Sequence, residues 1–317
     1  MPLRFRPLGK TGLSVSEIGF GAAPLGNEFG EIKPEEGVRA VHLAIDLGIN
    51  FFDTSPYYGR TLSEERLGKA LAGKRHQVIL ATKCGRYDSD EFDFTARRVK
   101  NSLEESLRRL QTDFIDLFQV HDIEWADAKI LAEETIPALR ALQSEGRVRF
   151  IGITGLQLQH LKNVAELSPV DTILSYCRYN LLGDDLDTVL APLAREHGIG
   201  LINASPLHMG ALTEKGAPAW HPAPGAVHAA ARNAARLCRA RGADLSRVAL
   251  QYCLDYPEAA TTLSGLASAA QVRANVEAAC TERDPELTRE VLEILNPARN
   301  LTWATGLHGN HDSRPLY

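Results

Sequence analysis

The chain has 317 residues and a net charge of -5, and its composition (44% hydrophobic, 24% charged) is that of a folded globular protein. This composition excludes disorder as the overall state. Because 35 Lys and Arg face 40 Asp and Glu, the chain lacks the basic excess that attracts a phosphate backbone, and we expect no nucleic-acid partner. The uncharged stretch His197–Thr213 is too short and too polar for a membrane span, so we expect no membrane association.

The cysteines and the N-terminus point to one compartment. Five cysteines lie at wide, irregular spacing without any Cys-x-x-Cys pair, so neither a zinc knuckle nor a redox pair is indicated. The first 12 residues carry Arg4, Arg6 and Lys10 and lack the apolar centre of a signal peptide. We therefore expect free thiols in a cytoplasmic protein.

Short apolar segments recur along the chain, as expected for strands that are buried on both faces. We predict eight of them: Glu17–Phe20, Asn50–Phe52, Val78–Thr82, Phe114–Val120, Arg149–Ile153, Thr172–Tyr176, Gly200–Ala204 and Thr261–Leu263.

Amphipathic segments separate these strands. Thr61 is followed three residues later by Glu64, which predicts a capping box at a helix start. Thr95 begins another helix, with an apolar face formed by Val99, Leu103, Leu107 and Leu110. The later helices are predicted at Glu133–Gln143, Leu156–Leu167, Leu186–Glu196, Val227–Arg241 and Gln271–Ala279.

Eight strands that alternate with helices favour a (β/α)8 TIM barrel, one domain covering residues 1–317. An open, doubly wound sheet would carry a Gly-x-Gly-x-x-Gly turn, whereas Gly19-Phe-Gly21 continues to Gly26 with the wrong spacing. Residues 3–14 contain a Gly-Lys-Thr-Gly turn and predict a β-hairpin that closes the barrel floor. The long segment Leu207–Gly225 predicts a functional loop on the catalytic face.

Three successive predicted strands end in residues with useful chemistry. Asp53, Lys83 and His121 follow the strands directly, and Tyr58 lies five residues beyond Asp53. The active sites of TIM barrels lie at the carboxyl ends of the strands, so these four side chains are the catalytic candidates. A metal site is disfavoured, because His121, Asp122 and Glu124 crowd one strand exit without partners elsewhere.

These four residues resemble the catalytic set of the aldo-keto reductase family. The family pattern Asp-x-x-x-x-Tyr-Gly matches Asp53-Thr-Ser-Pro-Tyr-Tyr58-Gly59, and its strand-end Lys and His match Lys83 and His121. Longer strings are similar to the sugar-oxidising aldose 1-dehydrogenases within that family: NFFDTSPYYG (50–59), TLSEERLGKAL (61–71), ATKCGRY (81–87), ETIPAL (134–139), RFIGITGL (149–156), ILSYC (173–177) and NLTW (300–303).

The resemblance implies NAD-dependent oxidation of an aldose, similar to L-galactose or L-fucose, at C1 to the aldonolactone. Tyr58 would be the general acid–base, and His121 would hydrogen-bond the reacting oxygen. A lysine ammonium about 4 Å from a phenolate stabilises it by roughly 4 kcal/mol at an effective dielectric near 20. Lys83 is therefore expected to lower the pKa of Tyr58. Asp53 would keep Lys83 charged and oriented.

The resemblance also implies a cofactor site on the later strands. Thr154, Ser175, Ser205 and Leu207 stand at its cofactor-binding positions. Thr154-Gly155, Ser175 and Ala204, which stands where many members have a tyrosine that stacks on the nicotinamide, differ from the residues of many members. Backbone N–H groups around Gly210 and from Gly265 to Ser268 are the expected phosphate donors. Many NADP-using members place two cations in the stretch that ends at the position of Asn275.

Here the two matching positions are Gly265 and Gln271, both neutral, so we expect NAD rather than NADP, unless Arg273 reaches the phosphate. We expect loop residues after the strands to bind the sugar together with Tyr58 and His121: Arg86, Asp122, Trp125, His208 and Trp303. Two alternatives stay open, an NADPH-dependent carbonyl reductase and a non-catalytic cofactor-binding regulatory subunit. A monomer or weak homodimer is expected.

Overall fold

The computed structural model describes residues 2–312 and has a closed barrel of eight parallel strands behind a short antiparallel hairpin. The hairpin strands are β1 (Phe5–Pro7) and β2 (Ser14–Ser16). The barrel strands are β3 (Ile18–Gly21), β4 (Phe51–Asp53), β5 (Ile79–Cys84), β6 (Ile115–Val120), β7 (Val148–Gly155), β8 (Thr172–Tyr176), β9 (Gly200–Ala204) and β10 (Ala259–Gly265). Each predicted barrel strand is present, with ends that differ by at most two residues.

Helices surround the barrel. They are α1 (Pro34–Asp46), α2 (Leu62–Ala70), α3 (Ala96–Leu110), α4 (Ala128–Ile130), α5 (Ile136–Ser144), α6 (Leu158–Leu167), α7 (Asp185–Val189), α8 (Ala191–His197), α9 (Gly225–Ala240), α10 (Leu245–Leu254), α11 (Ala269–Cys280) and α12 (Pro285–Leu295). Among residues 2–312, no helix is long and apolar enough to cross a membrane. The (β/α)8 prediction is confirmed.

The hairpin closes the amino-terminal end of the barrel, as predicted. The guanidinium of Arg6 donates to the backbone carbonyls of Leu254, Tyr256 and Ala259 at 2.6–2.7 Å, next to the start of β10. Leu8 is fully buried with the apolar side chains inside the barrel. Ligands therefore have to enter from the opposite, carboxyl-terminal face.

The capping box predicted at Thr61 is wrong. Thr61 has a left-handed backbone (φ 79°), and its side chain caps no N–H group of α2. Glu64 is instead fully buried, where it accepts hydrogen bonds from Thr82 (2.6 Å) and Arg109 (2.6 Å). By contrast, Thr95 does cap α3 by accepting the N–H of Arg98. Glu64 therefore forms a buried ion pair with Arg109 and does not cap the helix.

Several helix boundaries differ from the sequence prediction. The segment predicted at Glu133–Gln143 begins with a π-helical turn, Leu131–Thr135, before α5. The segment predicted at Leu186–Glu196 is two helices, α7 and α8, because Pro192 cannot supply the N–H that a continuous helix needs at that turn. Helices α1, α4, α10 and α12 have no counterpart in the sequence prediction.

The segment after α12 crosses the carboxyl-terminal face and is tied to it by side chains. Asp312 accepts the N–H groups of Leu158 (3.1 Å) and Gln159 (2.9 Å) at the start of α6 and pairs with buried Arg178 (2.9 Å). Asn310 donates to the backbone carbonyl of Glu124 at 2.9 Å. The C-terminal segment is therefore fastened to the loops that follow β6 and β7.

Candidate active site

Three adjacent strands bring the catalytic candidates together. Asp53 ends β4, Lys83 lies near the end of β5, and His121 directly follows β6. Because β4 pairs with β5 and β5 with β6 in parallel, the three side chains share one edge of the barrel mouth. Tyr58 reaches the same place from the loop after β4. The N–H of Gly59 donates to the carboxylate of Glu28 at 2.7 Å, and this hydrogen bond fixes the loop.

Lys83 is the centre of a buried polar cluster. Its ammonium group donates to the carboxylate of Asp53, to the carbonyl of Thr54 (2.8 Å) and to the phenolic oxygen of Tyr58 (3.3 Å). Burial opposes the charged form of Lys83, but Asp53 and the phenolic oxygen outweigh it, so the pKa of Lys83 lies above its usual value. The lysine is therefore a permanent cation next to Tyr58.

Lys83 acts on the pKa of Tyr58 in the expected, lowering direction, but its effect is outweighed. Burial raises the pKa of Tyr58 to about 12, since it penalises the phenolate more than Lys83 stabilises it. The carboxylate of Asp53 acts in the same direction as burial. At neutral pH the side chain is a protonated phenol, which is the form that donates a proton.

His121 is a buried, neutral imidazole beside Tyr58. Its Nδ1 lies 3.0 Å from the hydroxyl of Ser55, and its ring centre lies 5.6 Å from that of Tyr58. Burial lowers the pKa of His121 to about 3. Ser55 engages Nδ1, and the carboxylate of Asp122 lies 3.8 Å from Nε2, beyond hydrogen-bond distance. The hydrogen bond from His121 to a substrate oxygen stays a prediction, with Nε2 as the available atom.

Three of the predicted sugar-binding residues lie together on the rim next to His121. Arg86 binds Asp122 through a 2.5 Å ion pair, and its guanidinium lies 3.9 Å from the ring centre of Tyr57. Trp125 follows in the same loop and stacks on Phe92, with ring centres 4.7 Å apart. One ion pair and the aromatic rings of Tyr57, Phe92 and Trp125 therefore lie together close to the catalytic cluster.

The other two predicted sugar-binding residues belong to a different environment. His208 is 2% exposed, and its Nδ1 lies 3.2 Å from the side-chain amide of Asn180. Trp303 packs edge-on against His208 and His221, with ring centres 5.9 and 5.7 Å away. Within residues 2–312, these side chains contact each other and form no hydrogen bond or ring contact with Asp53, Tyr58, Lys83 or His121. The Nε2 atom of His208 is buried and has no hydrogen-bond partner within residues 2–312, so the role of His208 as a sugar ligand stays a prediction.

Two of the hydroxyl residues predicted to bind the cofactor already have protein partners. Thr154 accepts the N–H of Asp122 at 3.1 Å, and Ser175 donates to the carbonyl of Gly155 at 3.0 Å. Each hydroxyl retains one further hydrogen-bonding capacity. Tyr176, which sequence reasoning missed, lies at the end of β8 directly opposite Ala204 on β9.

The loop after β9 contains several residues with a left-handed backbone. Ser205, His208 and Met209 all have positive φ angles of 47–60°, followed by Gly210 at 98°. Left-handed residues other than Gly cost on the order of 1–3 kcal/mol each and cluster at ligand clamps. Successive N–H groups in such turns form anion-binding concavities. In this turn, however, the N–H groups of His208 and Gly210 already donate to the carbonyls of Ser205 (2.9 Å) and Leu207 (3.0 Å). The binding of a dinucleotide phosphate at Ser205, Leu207 and Gly210 therefore stays a prediction.

The start of α11 differs from the prediction. Gln271 accepts the N–H groups of Ala267 (2.8 Å) and Ser268 (3.2 Å), while Ser268 accepts the N–H of Gln271, forming a capping box. The side-chain amide of Asn275 donates to the carbonyl of Gln271 at 3.0 Å, and Gly265 is exposed at the end of β10. Several of the N–H groups expected to bind phosphate are thus already engaged within the protein.

Two polar residues of the site were missed. Gln119 on β6 donates to the second oxygen of Asp53 at 2.9 Å, and Ser55 holds His121. Ser55 lies inside the string that predicted Tyr58, so its position could have been inferred. Gln119 lies inside an apolar strand, and its inward direction follows only from the strand register. In the described part of the chain, no cluster of three or more His, Cys, Asp or Glu could hold a metal.

Comparison with known proteins agrees with this geometry. The model of the aldo/keto reductase family matches residues 17–296. The chain belongs to this family. It is 48% identical to L-galactose dehydrogenase of Arabidopsis thaliana over 97% of this chain and 99% of that protein, and 30% identical to D-threo-aldose 1-dehydrogenase of Pseudomonas sp. over 89% and 94%.

Solved structures are similar as well. An aldo-keto reductase from Bacillus halodurans in its holo form has a TM-score of 0.78 at 30% identity and covers 98% of this chain and 100% of its own. A glycerol dehydrogenase from Gluconobacter oxydans has a TM-score of 0.72 at 26% identity, covering 96% and 98%. The chain is therefore an oxidoreductase of the family that uses a nicotinamide cofactor.

Proposed function

We propose that this enzyme is an NAD-dependent aldose 1-dehydrogenase that oxidises a sugar similar to L-galactose or L-fucose at C1 to the aldonolactone. The observation that carries the proposal is the contact of Lys83 with both Asp53 and Tyr58, beside a neutral His121. The similarity to L-galactose dehydrogenase supports the substrate class.

In the proposed reaction, His121 and Tyr58 bind the C1 hydroxyl of the cyclic sugar. The loop around Ser205, Leu207 and Gly210 would hold the dinucleotide, which would supply the hydride acceptor for the hydrogen of C1. Tyr58 takes the hydroxyl proton as the C1–H bond breaks, so a C=O bond forms and the product is a lactone. Lys83 stabilises the phenolate, and Asp53 with Gln119 keeps Lys83 in place.

The substrate is tested by initial rates of NADH formation with L-galactose, L-fucose, D-arabinose and D-glucose. A site whose polar groups match one epimer should reject another by about 10²-fold or more, because a buried partner is left unpaired. We expect L-galactose or L-fucose to have the highest kcat/KM. Equal efficiency with L-galactose and D-glucose would contradict the assignment.

The same assays separate the alternatives. A carbonyl reductase would consume NADPH with simple aldehydes faster than it oxidises any sugar. A regulatory subunit would bind cofactor without turning over any of these substrates. We expect NAD to be preferred over NADP by at least roughly tenfold in kcat/KM, about 1.4 kcal/mol, because Gly265 and Gln271 are neutral. A preference for NADP would remove NAD from the proposal. We also propose that the protein is cytoplasmic and that it is a monomer or weak homodimer. Light scattering in solution would test the oligomeric state.

A further inference from the structure

A carboxylate from another helix lies at the start of α11. Oε1 of Glu36, in the first turn of α1, accepts the N–H of Ala269 at 3.1 Å. Its other oxygen pairs with the guanidinium of Arg39. Hydrogen bonds from Arg39 and then from Ala269 lower the pKa of Glu36, so the side chain is charged at neutral pH.

This position matters because it follows the last strand of the barrel. In TIM barrels, phosphate groups often bind at the loops after the seventh and eighth strands and at a nearby helix start. Here the capping box of Gln271 occupies the N–H groups of Ala267 and Ser268, and Glu36 occupies that of Ala269. A phosphate at this place would meet a negative charge and would have to displace it.

We propose that Glu36 is a specificity-determining residue for the cofactor, which disfavours the adenosine 2′-phosphate of NADP and accepts the free ribose of NAD. The proposal rests on the proposed NAD dependence. A ribose hydroxyl can donate a hydrogen bond to a carboxylate, whereas a phosphate dianion can only be repelled by it. Glu36 is partly exposed, so the repulsion is screened by water, and we expect a moderate effect.

Arg39 gives the proposal a second, opposite prediction. In the protein the guanidinium of Arg39 forms an ion pair with the carboxylate of Glu36. Glu36→Gln retains an oxygen that can accept the N–H of Ala269, so the helix cap survives while the charge is lost and Arg39 becomes free. Arg39→Gln leaves the carboxylate without its neutralising partner. The two variants should therefore change the binding of a 2′-phosphate in opposite directions.

The test measures binding without turnover. Isothermal titration with NAD, NADP, adenosine 5′-monophosphate and adenosine 2′,5′-bisphosphate would be carried out on the wild type and three variants. For Glu36→Gln we expect about tenfold tighter binding of the two 2′-phosphorylated ligands and less than about twofold change for the other two. Arg39→Gln should weaken the 2′-phosphorylated ligands. Glu35→Gln is the matched control, since Glu35 is exposed on the same turn. It should change neither the ratio of NADP to NAD affinity nor the ratio of adenosine 2′,5′-bisphosphate to adenosine 5′-monophosphate affinity.

Two results would overturn the proposal. One is an unchanged ratio of NADP to NAD affinity in Glu36→Gln, and the other is an equal effect of Glu35→Gln, which would assign the change to net charge. A wild-type protein that binds NADP more tightly than NAD would instead contradict the proposed NAD preference. The two failures are distinct, because the first concerns the change on substitution and the second concerns the wild-type ratio.

Discussion

The ammonium group of Lys83 lies 3.3 Å from the phenolic oxygen of Tyr58 and also donates to Asp53, so the phenol faces a cation that is already neutralised on its far side. The charges of Lys83 and Asp53 act on Tyr58 in opposite directions, and burial adds to the effect of the carboxylate. Tyr58 is consequently ready to act as an acid at neutral pH, whereas its action as a base depends on pH.

The pH dependence of sugar oxidation should follow this asymmetry. Because burial raises the pKa of Tyr58 to about 12, the phenolate fraction grows by up to about tenfold for each pH step of one below that value. We expect kcat/KM for oxidation to rise from pH 7 to pH 10. The pKa of His121 is lowered to about 3, so His121 stays neutral and adds no inflection near pH 6.5. A bell-shaped profile with an acid limb near pH 6.5 would contradict this.

Tyr58→Phe should lose about 10²-fold or more in kcat, since it removes the group that transfers the proton. Binding of NAD, measured by titration calorimetry, should be unchanged, because the hydroxyl is not needed for the dinucleotide. Tyr57→Phe is the matched control, as the neighbouring ring packs under Arg86, and should retain kcat within about threefold. Turnover similar to the wild type in Tyr58→Phe would exclude Tyr58 from the mechanism.

Asp53→Asn should destabilise the protein as well as slow it. The substitution leaves Lys83, 1% exposed, as a buried cation without a partner charge, which typically costs about 3–5 kcal/mol. Urea unfolding would measure the free energy of unfolding, with Asp113→Asn, at an exposed site, expected within about 0.5 kcal/mol of the wild type. The double variant Asp53→Asn/Lys83→Met should be more stable than Asp53→Asn alone. The opposite order would mean that Lys83 is not held mainly by Asp53.

Arg86→Lys tests whether the rim pair contributes to sugar binding. Lysine keeps the charge but loses the planar group that contacts Tyr57 and the geometry of the 2.5 Å pair with Asp122. We expect KM for the sugar to rise about tenfold, equivalent to about 1.4 kcal/mol, with kcat changed less than about threefold. Arg60→Lys, an exposed ion-pair residue, is the control. An unchanged KM in Arg86→Lys would place the sugar elsewhere.

The sequence predicts the barrel well because strand order and strand ends follow from local patterns. Apolar runs of fixed length mark the strands, and parallel pairing then places Asp53, Lys83 and His121 side by side. The same reasoning cannot place His208, since a residue in a long loop can turn into the protein as easily as toward a ligand, and its role as a sugar ligand stays a prediction. The reasoning fails for Glu64, whose partner Arg109 lies 45 residues away on α3.

The direction of the pKa change at Tyr58 could not be predicted from the sequence either. Counting charges gives one nearby cation, but the result depends on how completely water is excluded and on where the carboxylate lies. Both are properties of the folded site. The contact of Glu36 with the start of α11 could not be predicted from the sequence either, because 233 positions separate Glu36 from Ala269.

The three tryptophans give this protein an optical property. Trp125, Trp220 and Trp303 all lie in segments at the mouth of the barrel, after β6, after β9 and after α12, and none lies in a barrel strand. Indole emission therefore reports on the entrance, while far-ultraviolet circular dichroism reports on the barrel. If the entrance loops loosen before the barrel melts, the fluorescence midpoint should precede the dichroism midpoint on heating. The same signal should respond to a sugar that docks against Trp125, which offers a label-free binding assay.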